Sequence, residues 1–150
     1  MDKIATVSKR LQGSRVYFDT NPIIYFVEQN NAFAQAVAPL FELIGTGHIS
    51  AYTSEFTLAE ILIKPSKDNL QQVVMAHKEL LLDPDLFTLT KTHRDLFVNA
   101  AELAGSAGLR LPDAIHMASA LENHCHYFIT NDKRIKDYKT VAVVQLGDLI

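Results

Sequence analysis

A short run of strand-forming residues that ends directly on an acid constrains the fold of this chain more than any other feature. Residues 16–18 (Val-Tyr-Phe) favour a pleated, buried strand, and Asp19 follows them at once. Pro22 suits the first turn of a helix, with Thr20 or Asn21 available as its cap. The segment therefore predicts a strand, an acid just beyond its end and a helix that begins immediately.

Short strand-forming runs alternate with helix-forming segments along the rest of the chain. Further strands are predicted at 48–53, 87–89, 127–130 and 141–145. Helices are predicted at 22–28, 32–44, 55–63 and 70–82, from a capping box at Thr92-His93-Arg94-Asp95 to about 105, and from Pro112 to 121, with breaks at Asn30-Asn31 and Lys64-Pro65. This alternation is the pattern of an α/β domain with a mainly parallel sheet. We therefore expect one domain at 15–150, preceded by a loose or partly helical basic arm at 1–14.

The composition is that of an ordinary globular protein. The 150 residues are 48% hydrophobic and 21% charged, which suits one domain with a continuous core. No apolar run approaches the length of a membrane span, and residues 1–14 lack the apolar centre of a signal peptide. The single cysteine, Cys125, excludes an intramolecular disulfide and fits a reducing compartment, so we expect a cytoplasmic protein without membrane contact.

The net charge of −3 argues weakly against a protein that binds nucleic acid by bulk charge alone. Four acids that hold cations would no longer count in that sum, which would then rise from −3 to +1. Net charge therefore does not decide between a nuclease and another kind of protein.

Four acids are predicted to lie where strands end and helices begin. Asp19 and Asp132 each follow a strand that contains aromatic residues. Glu60 lies on an apolar face of the helix at 55–63, which is apolar nearly all round and is therefore predicted to be buried. Asp113 follows Pro112 at a helix start, where the helix dipole favours an anion. Because these places face one edge of a parallel sheet, the four carboxylates can converge on one crevice.

These acids also have ordinary structural explanations. Asp19 suits a turn, Glu60 suits a helix edge that reaches water, and Asp113 suits a partner of the helix dipole. Convergence would decide among the explanations, since packed carboxylates repel one another and persist only when they are protonated or neutralised by cations. Oxygen ligands alone select hard ions, which indicates Mg²⁺ or Mn²⁺ and hydrolysis of a phosphodiester. Hydrolysis of a glycoside would leave a third and a fourth acid without a role.

One block of sequence surrounds each of these acids. The blocks are Phe18-Asp19-Thr20-Asn21, Thr53-Ser54-Glu55-Phe56-Thr57-Leu58-Ala59-Glu60, Leu111-Pro112-Asp113-Ala114-Ile115-His116-Met117-Ala118 and Thr130-Asn131-Asp132. In this order they resemble the four motifs of PIN-domain ribonucleases, and the small single-domain toxins of VapC type are the nearest likeness. The resemblance extends over about 16–144. It implies a three-layer α/β/α sandwich around a mainly parallel sheet.

The resemblance also implies an activity, a metal and partners. The family cleaves RNA with a divalent metal, here Mg²⁺ or Mn²⁺. The acids that match its metal ligands are Asp19, Glu60, Asp113 and Asp132. Asn21 and Thr130 match polar positions that orient ligands or water. Homodimers and inhibition by a small antitoxin protein are expected from the same resemblance, whereas the basic arm at 1–14 is the part that the family pattern does not explain.

Four further residues are candidates for the same site. His116 lies one helical turn after Asp113, where it could hydrogen-bond that acid, meet the substrate or pack as a core histidine. The candidates for contacts with RNA phosphates are Arg110, Lys133 and Arg134. Together with the four acids, these residues predict a metal-dependent endoribonuclease.

Two other functions stay open at this point. A catalytically silent PIN-type module would retain RNA or protein without cleaving it, and a phosphotransfer protein would need an Asp19 that can be phosphorylated. The run His124-Cys125-His126 could suggest a transition metal, but no further ligand pair lies at zinc spacing. A core or surface role is therefore favoured for these two histidines.

Overall fold

A five-stranded sheet runs through the centre of the computed structural model, which describes residues 2–29 and 32–150. The strands are β1 (Arg15–Phe18), β2 (Ser50–Ser54), β3 (Phe87–Thr90), β4 (Tyr127–Thr130) and β5 (Ala142–Gln145). Their order across the sheet is β3-β2-β1-β4-β5, and all neighbouring pairs are parallel. The first strand of the sequence is therefore the central one, and the carboxyl ends of all five strands lie along one edge.

Helices cover both faces of the sheet. They are α1 (Lys3–Leu11), α2 (Thr20–Glu28), α3 (Ala34–Gly45), α4 (Glu55–Lys67), α5 (Gln71–Leu81), α6 (Arg94–Ala107) and α7 (Leu111–Glu122), with a 3₁₀ helix at Leu146–Leu149. Within the described ranges, no helix has the length and apolarity needed to cross a bilayer.

Alternation along the central strands divides the core into two parts. Val16 and Phe18 of β1 belong to one hydrophobic cluster, to which α1 to α5 contribute, whereas Tyr17 belongs to a second cluster with α6 and α7. β4 alternates in the same way, with Ile129 in the first cluster and Phe128 in the second. The predicted three-layer α/β/α sandwich is confirmed, and its sheet is parallel throughout.

Helix α4 differs from the prediction in its length and in its exposure. It continues through Pro65 to Lys67, so the predicted break at Lys64-Pro65 is wrong. Pro65 lies in the last turn, where the lost backbone donor affects a single hydrogen bond, and its ring is buried. The helix is not buried all round either, since the side chain of Ile63 is 67% exposed.

Two helices begin with a different cap from the predicted one. Asp19 caps α2, because its carboxylate accepts from the Thr20 backbone N–H, whereas Thr20 and Asn21 were the expected caps. His93 caps α6 in place of Thr92, whose N–H and hydroxyl instead donate to Glu55 Oε1 at 3.0 and 3.3 Å.

The end of α2 is described only as far as Gln29, which adopts a left-handed conformation. The predicted break at Asn30-Asn31 lies outside the described residues.

The amino-terminal segment packs on the domain rather than extending from it. Asp2 caps α1 by accepting from two backbone N–H groups, and Leu11 at the other end is fully buried in the first cluster. Arg10 lies over the ring of Tyr127, with its guanidinium carbon 5.4 Å from the ring centroid. A loose arm is therefore wrong, and the partly helical alternative describes this segment.

The burial of Leu11 leads to a prediction about stability. Leu11→Ala is expected to lower the free energy of unfolding by about 2–5 kcal/mol, because it leaves a cavity in the first cluster. Urea unfolding measures the effect, and Lys9→Ala on the exposed side of α1 is the control. Equal stabilities of the two variants would contradict the packing of α1.

Candidate active site

The four acids singled out in the sequence line one crevice at the carboxyl edge of the sheet. Its volume is about 310 Å³. The lining consists of Asp19, Glu60, Asp113 and Asp132 together with Thr20, Asn21, Ile24, Arg110, Pro112 and His116. Folding thus brings together Asp19, which follows β1, with side chains from α2, α4, the start of α7 and the turn after β4.

Asp19 lies at the floor of the crevice and is oriented by neutral donors. Its Oδ1 accepts from the Thr20 N–H at 2.9 Å, and its Oδ2 accepts from the Thr130 hydroxyl at 2.7 Å. The residue is 8% exposed. Thr130 Oγ1 also accepts from the backbone N–H of Asp132 at 3.0 Å. One threonine therefore fixes the positions of two acids that follow adjacent strands.

His116 lies close to both Asp19 and Glu60. Its Nε2 lies 2.6 Å from Glu60 Oε1 and 3.6 Å from Asp19 Oδ1. The Thr20 hydroxyl donates to the same Glu60 oxygen at 2.7 Å. The other ring nitrogen, Nδ1, lies 2.8 Å from the hydroxyl of Tyr17. His116 is buried, so it is both a packed residue and a hydrogen-bond partner of the crevice acids.

The charges in this group stabilise one another. Burial alone would lower the pKa of His116, but the hydrogen bond to Glu60 and the surrounding carboxylates raise it above its ordinary value. Burial opposes ionisation of Glu60, yet the hydrogen bond and charge of His116 bring its pKa below the usual range. Burial raises the pKa of Tyr17 far above its ordinary value, so its hydroxyl keeps its proton. The structure therefore favours an imidazolium paired with an ionised Glu60.

Two arginines neutralise the acids on the other side of the crevice. Arg134 forms a bidentate pair with Asp132, through Nε to Oδ1 at 3.0 Å and Nη2 to Oδ2 at 2.6 Å. These hydrogen bonds hold the pKa of Asp132 below its usual range, against the opposing effect of burial. Arg110 donates from Nε to Asp113 Oδ2 at 3.1 Å, and its Nη2 lies 3.6 Å from Asp132 Oδ2. Two of the three cations expected to bind phosphate, Arg110 and Arg134, thus contact carboxylates.

The remaining predicted residues lie at the rim. Asn21 lines the crevice and is exposed. Lys133 is exposed and lies outside the crevice lining. Two contributors were missed as site residues: Thr20 was read only as a helix cap, and Tyr17 only as a strand residue. The sequence does contain a signal for Tyr17, because alternation along β1 places it on the face of the sheet opposite Val16 and Phe18.

The donor atoms of the crevice fit a hard cation. Within residues 2–29 and 32–150, no three His, Cys, Asp or Glu side chains are arranged so that they could hold one ion as they stand. In this structure Arg110, Arg134 and His116 pair with Asp113, Asp132 and Glu60. The available ligands are nevertheless carboxylate oxygens, which suit Mg²⁺ or Mn²⁺.

The buried histidine predicts a dependence of stability on pH. A folded-state pKa above 6.5 contributes stability that is complete below about 6.5 and is lost as the pH rises through the folded-state value. The free energy of unfolding of the metal-free protein should therefore decline above that pH, and His116→Gln should reduce the decline. Urea unfolding in EDTA across a pH series measures it, with exposed His48→Gln as control. Identical pH profiles of His116→Gln and the wild type would contradict the pairing.

Solved structures with a similar fold include a toxin and a toxin–antitoxin complex. VapBC2 from Rickettsia felis, bound to a DNA fragment from its promoter, is 15% identical and has a TM-score of 0.66, covering 87% of this chain and 98% of that one. A toxin–antitoxin complex from Klebsiella pneumoniae is 20% identical with a TM-score of 0.60, covering 85% and 95%. VapC20 from Mycobacterium tuberculosis, described as a sarcin–ricin loop cleaving toxin, is 14% identical with a TM-score of 0.63, covering 75% and 86%. At these identities the likeness concerns the fold.

Sequence comparison identifies the family. No curated protein matches the chain significantly over its sequence. The family model of the PIN domain, however, matches residues 16–141. That span runs from the second residue of β1 to the residue before β5, and it includes all four acids of the crevice. With its parallel sheet and its acidic crevice inside the matched span, the chain belongs to the PIN-domain family.

Proposed function

We propose that this protein is an endoribonuclease that hydrolyses RNA phosphodiesters with Mg²⁺ or Mn²⁺. The observation that carries the proposal is the convergence of four carboxylates on one crevice of about 310 Å³. Carboxylates in one place repel one another, and a bound cation relieves that repulsion. The crevice is large enough for a phosphate group beside an ion.

The proposal gives each acid a role in holding the metal. The ligands, direct or through water, would be Asp19, Glu60, Asp113 and Asp132. When bound, such an ion activates water and stabilises the negative charge that develops on a phosphodiester. Thr130 keeps Asp19 turned toward the crevice by donating to its Oδ2. His116 keeps Glu60 ionised and fixed, and Asn21 at the rim is placed to orient a ligand or a water.

Basic side chains near the opening would bind the RNA backbone. Arg110 lines the crevice, and its side chain is 61% exposed. Lys133 and Arg134 follow Asp132 directly and are exposed as well. Contacts of this kind position the RNA without reading its sequence, which supports cleavage at sites chosen by RNA shape.

A cleavage assay tests the proposal. Mixed RNA is incubated with the wild-type protein and with Asp19→Asn, in Mg²⁺, in Mn²⁺ and in EDTA. We expect cleavage by the wild type in the two metals only. Equal cleavage in all arms would overturn the proposal, and RNA retention without cleavage in either metal would establish the silent binding module instead.

We also propose that the protein is the toxin of a toxin–antitoxin pair and acts in the cytoplasm as a homodimer. The support is the fold shared with the toxin–antitoxin complex from Klebsiella pneumoniae and with the toxin VapC20. Expression of the chain alone should arrest bacterial growth, and co-expression of a short protein encoded directly upstream should restore it. Light scattering of the purified protein reports the oligomeric state. Unimpaired growth with the active chain would contradict the toxin role.

A further inference from the structure

Arg110 occupies a place that local rules of helix formation disfavour. It is the N-cap residue of α7, where Ser, Thr, Asp or Asn normally supplies a capping oxygen, and no side chain caps this helix. A cation at this end also meets the positive pole of the helix dipole. A residue that is unfavourable for helix formation is expected to make a stabilising contact elsewhere in the structure.

The guanidinium of Arg110 makes such contacts with two carboxylates. Arg110 Nε donates to Asp113 Oδ2 at 3.1 Å, and Nη2 lies 3.6 Å from Asp132 Oδ2. Asp113 is buried in the first turn of α7, and Asp132 follows β4. Arg110 therefore bridges two acids from different elements and reduces their mutual repulsion.

Arg134 contacts the same crevice in a different manner. It lies two residues after Asp132, pairs with both carboxylate oxygens and adds its backbone N–H to Oδ1 at 2.9 Å. Three contacts within one turn make Arg134 part of that turn. Arg110 has one hydrogen bond and one longer ion pair, and its side chain is 61% exposed. Of the two arginines, Arg110 therefore loses fewer contacts when its side chain moves away from the carboxylates.

A metal ion and Arg110 would compete for the same atoms. The lone pairs of Asp113 Oδ2 that accept from the guanidinium are among those that a hard cation needs. A divalent ion bound there would also repel the guanidinium. The released side chain would remain at the crevice opening, where the phosphate of a bound RNA would come to lie.

We propose that Arg110 is an exchangeable counterion, which holds Asp113 and Asp132 in the metal-free protein and binds an RNA phosphate once a divalent cation has taken these carboxylates. This inference rests on the proposed nuclease function and adds a defined order, in which the metal binds first and prepares the RNA contact. It assigns to one side chain two anionic partners in turn, the carboxylates of the crevice and a phosphodiester. A guanidinium suits both, because its planar donors match carboxylate and phosphate oxygens.

The test measures metal binding and RNA binding separately. Arg110→Gln is compared with the wild type and with Arg94→Gln, which removes the same charge from the exposed first residue of α6. Titration with Mn²⁺ alone, followed by calorimetry or by the EPR signal of the free ion, should give a Kd about tenfold lower for Arg110→Gln. Arg94→Gln should bind Mn²⁺ as the wild type does.

RNA binding should change in the opposite direction. The probe is short single-stranded RNA, and its binding is measured by stopped-flow fluorescence before appreciable hydrolysis. In Mn²⁺, Arg110→Gln should weaken RNA binding about fivefold and reduce the slope of log K against log salt by about 0.7, as expected for one lost phosphate contact. In EDTA the same variant should change RNA affinity less than about twofold, since Arg110 is then bound to carboxylates.

The outcomes separate this inference from the proposed function. Equal Kd values for Mn²⁺ in Arg110→Gln and the wild type, or an effect on RNA binding that is the same in Mn²⁺ and in EDTA, would overturn the exchange and leave the nuclease proposal intact. A wild type that binds no Mn²⁺ would overturn both. Thermal unfolding verifies the fold of each variant. If Arg110→Gln unfolds, Arg110→Lys takes its place; this variant keeps the positive charge but lacks the planar guanidinium, and it should retain only part of the wild-type RNA affinity.

Discussion

Asp19→Asn should lower the rate of RNA cleavage about 10³-fold while the fold remains intact. The amide keeps the shape of the side chain and an oxygen that can accept from the Thr20 N–H, so the cap of α2 is retained. What is lost is the negative charge at the floor of the crevice. Asp19 is the acid whose hydrogen bonds come from neutral donors, so it is the carboxylate most available to a metal.

The matched control carries the same chemical change outside the crevice. Asp85→Asn alters an exposed turn before β3 and should cleave RNA at the wild-type rate. Initial rates on one defined RNA, together with circular dichroism and thermal unfolding, give the comparison. Cleavage by Asp19→Asn within a factor of about two of the wild type would remove Asp19 from the active site.

Phe128→Ala should lower the free energy of unfolding by about 3–5 kcal/mol. Phe128 is fully buried in β4, and its ring stacks on that of Tyr17 with centroids 5.2 Å apart and planes at 14°. Loss of the ring leaves a cavity in the second cluster, and Phe128 lies on the same strand as Thr130. Urea unfolding with linear extrapolation measures the change.

The control for this variant is the same substitution at a surface position. Phe97 on α6 is 45% exposed, and Phe97→Ala should cost less than about 1 kcal/mol. A loss at Phe128 no greater than that at Phe97 would contradict the two-cluster core. A secondary loss of cleavage in Phe128→Ala is expected only at temperatures where the variant begins to unfold.

The layout of the fold and the identity of the four acids were accessible from the sequence because they depend on local chemistry. The β-prone residues before Asp19 and before Asp132 mark strand ends, and Pro112 marks a helix start. Parallel topology then sends these ends to one edge, and the structure has all four acids around one crevice there. The roles of the acids in catalysis stay predictions.

The partners of these acids were not accessible, because they depend on register and on side-chain rotation. The contact of Tyr17 with His116 joins residues 99 positions apart and requires the relative heights of β1 and α7. Arg110 and Asp132 belong to different elements and meet only through the tertiary fold. The continuation of α4 through Pro65 was missed because a proline near a helix end has a small effect that burial of its ring can offset.

The hydrogen bond between Asp19 and Thr130 has a consequence for biosynthesis. It joins residues 111 positions apart, and β4, which carries Thr130, pairs directly with the central strand β1. A growing polypeptide that has not yet released β4 from the ribosome therefore contains Asp19 without its threonine and without Asp132. The acidic crevice of a nascent chain therefore assembles only after β4 has left the ribosome and paired with β1.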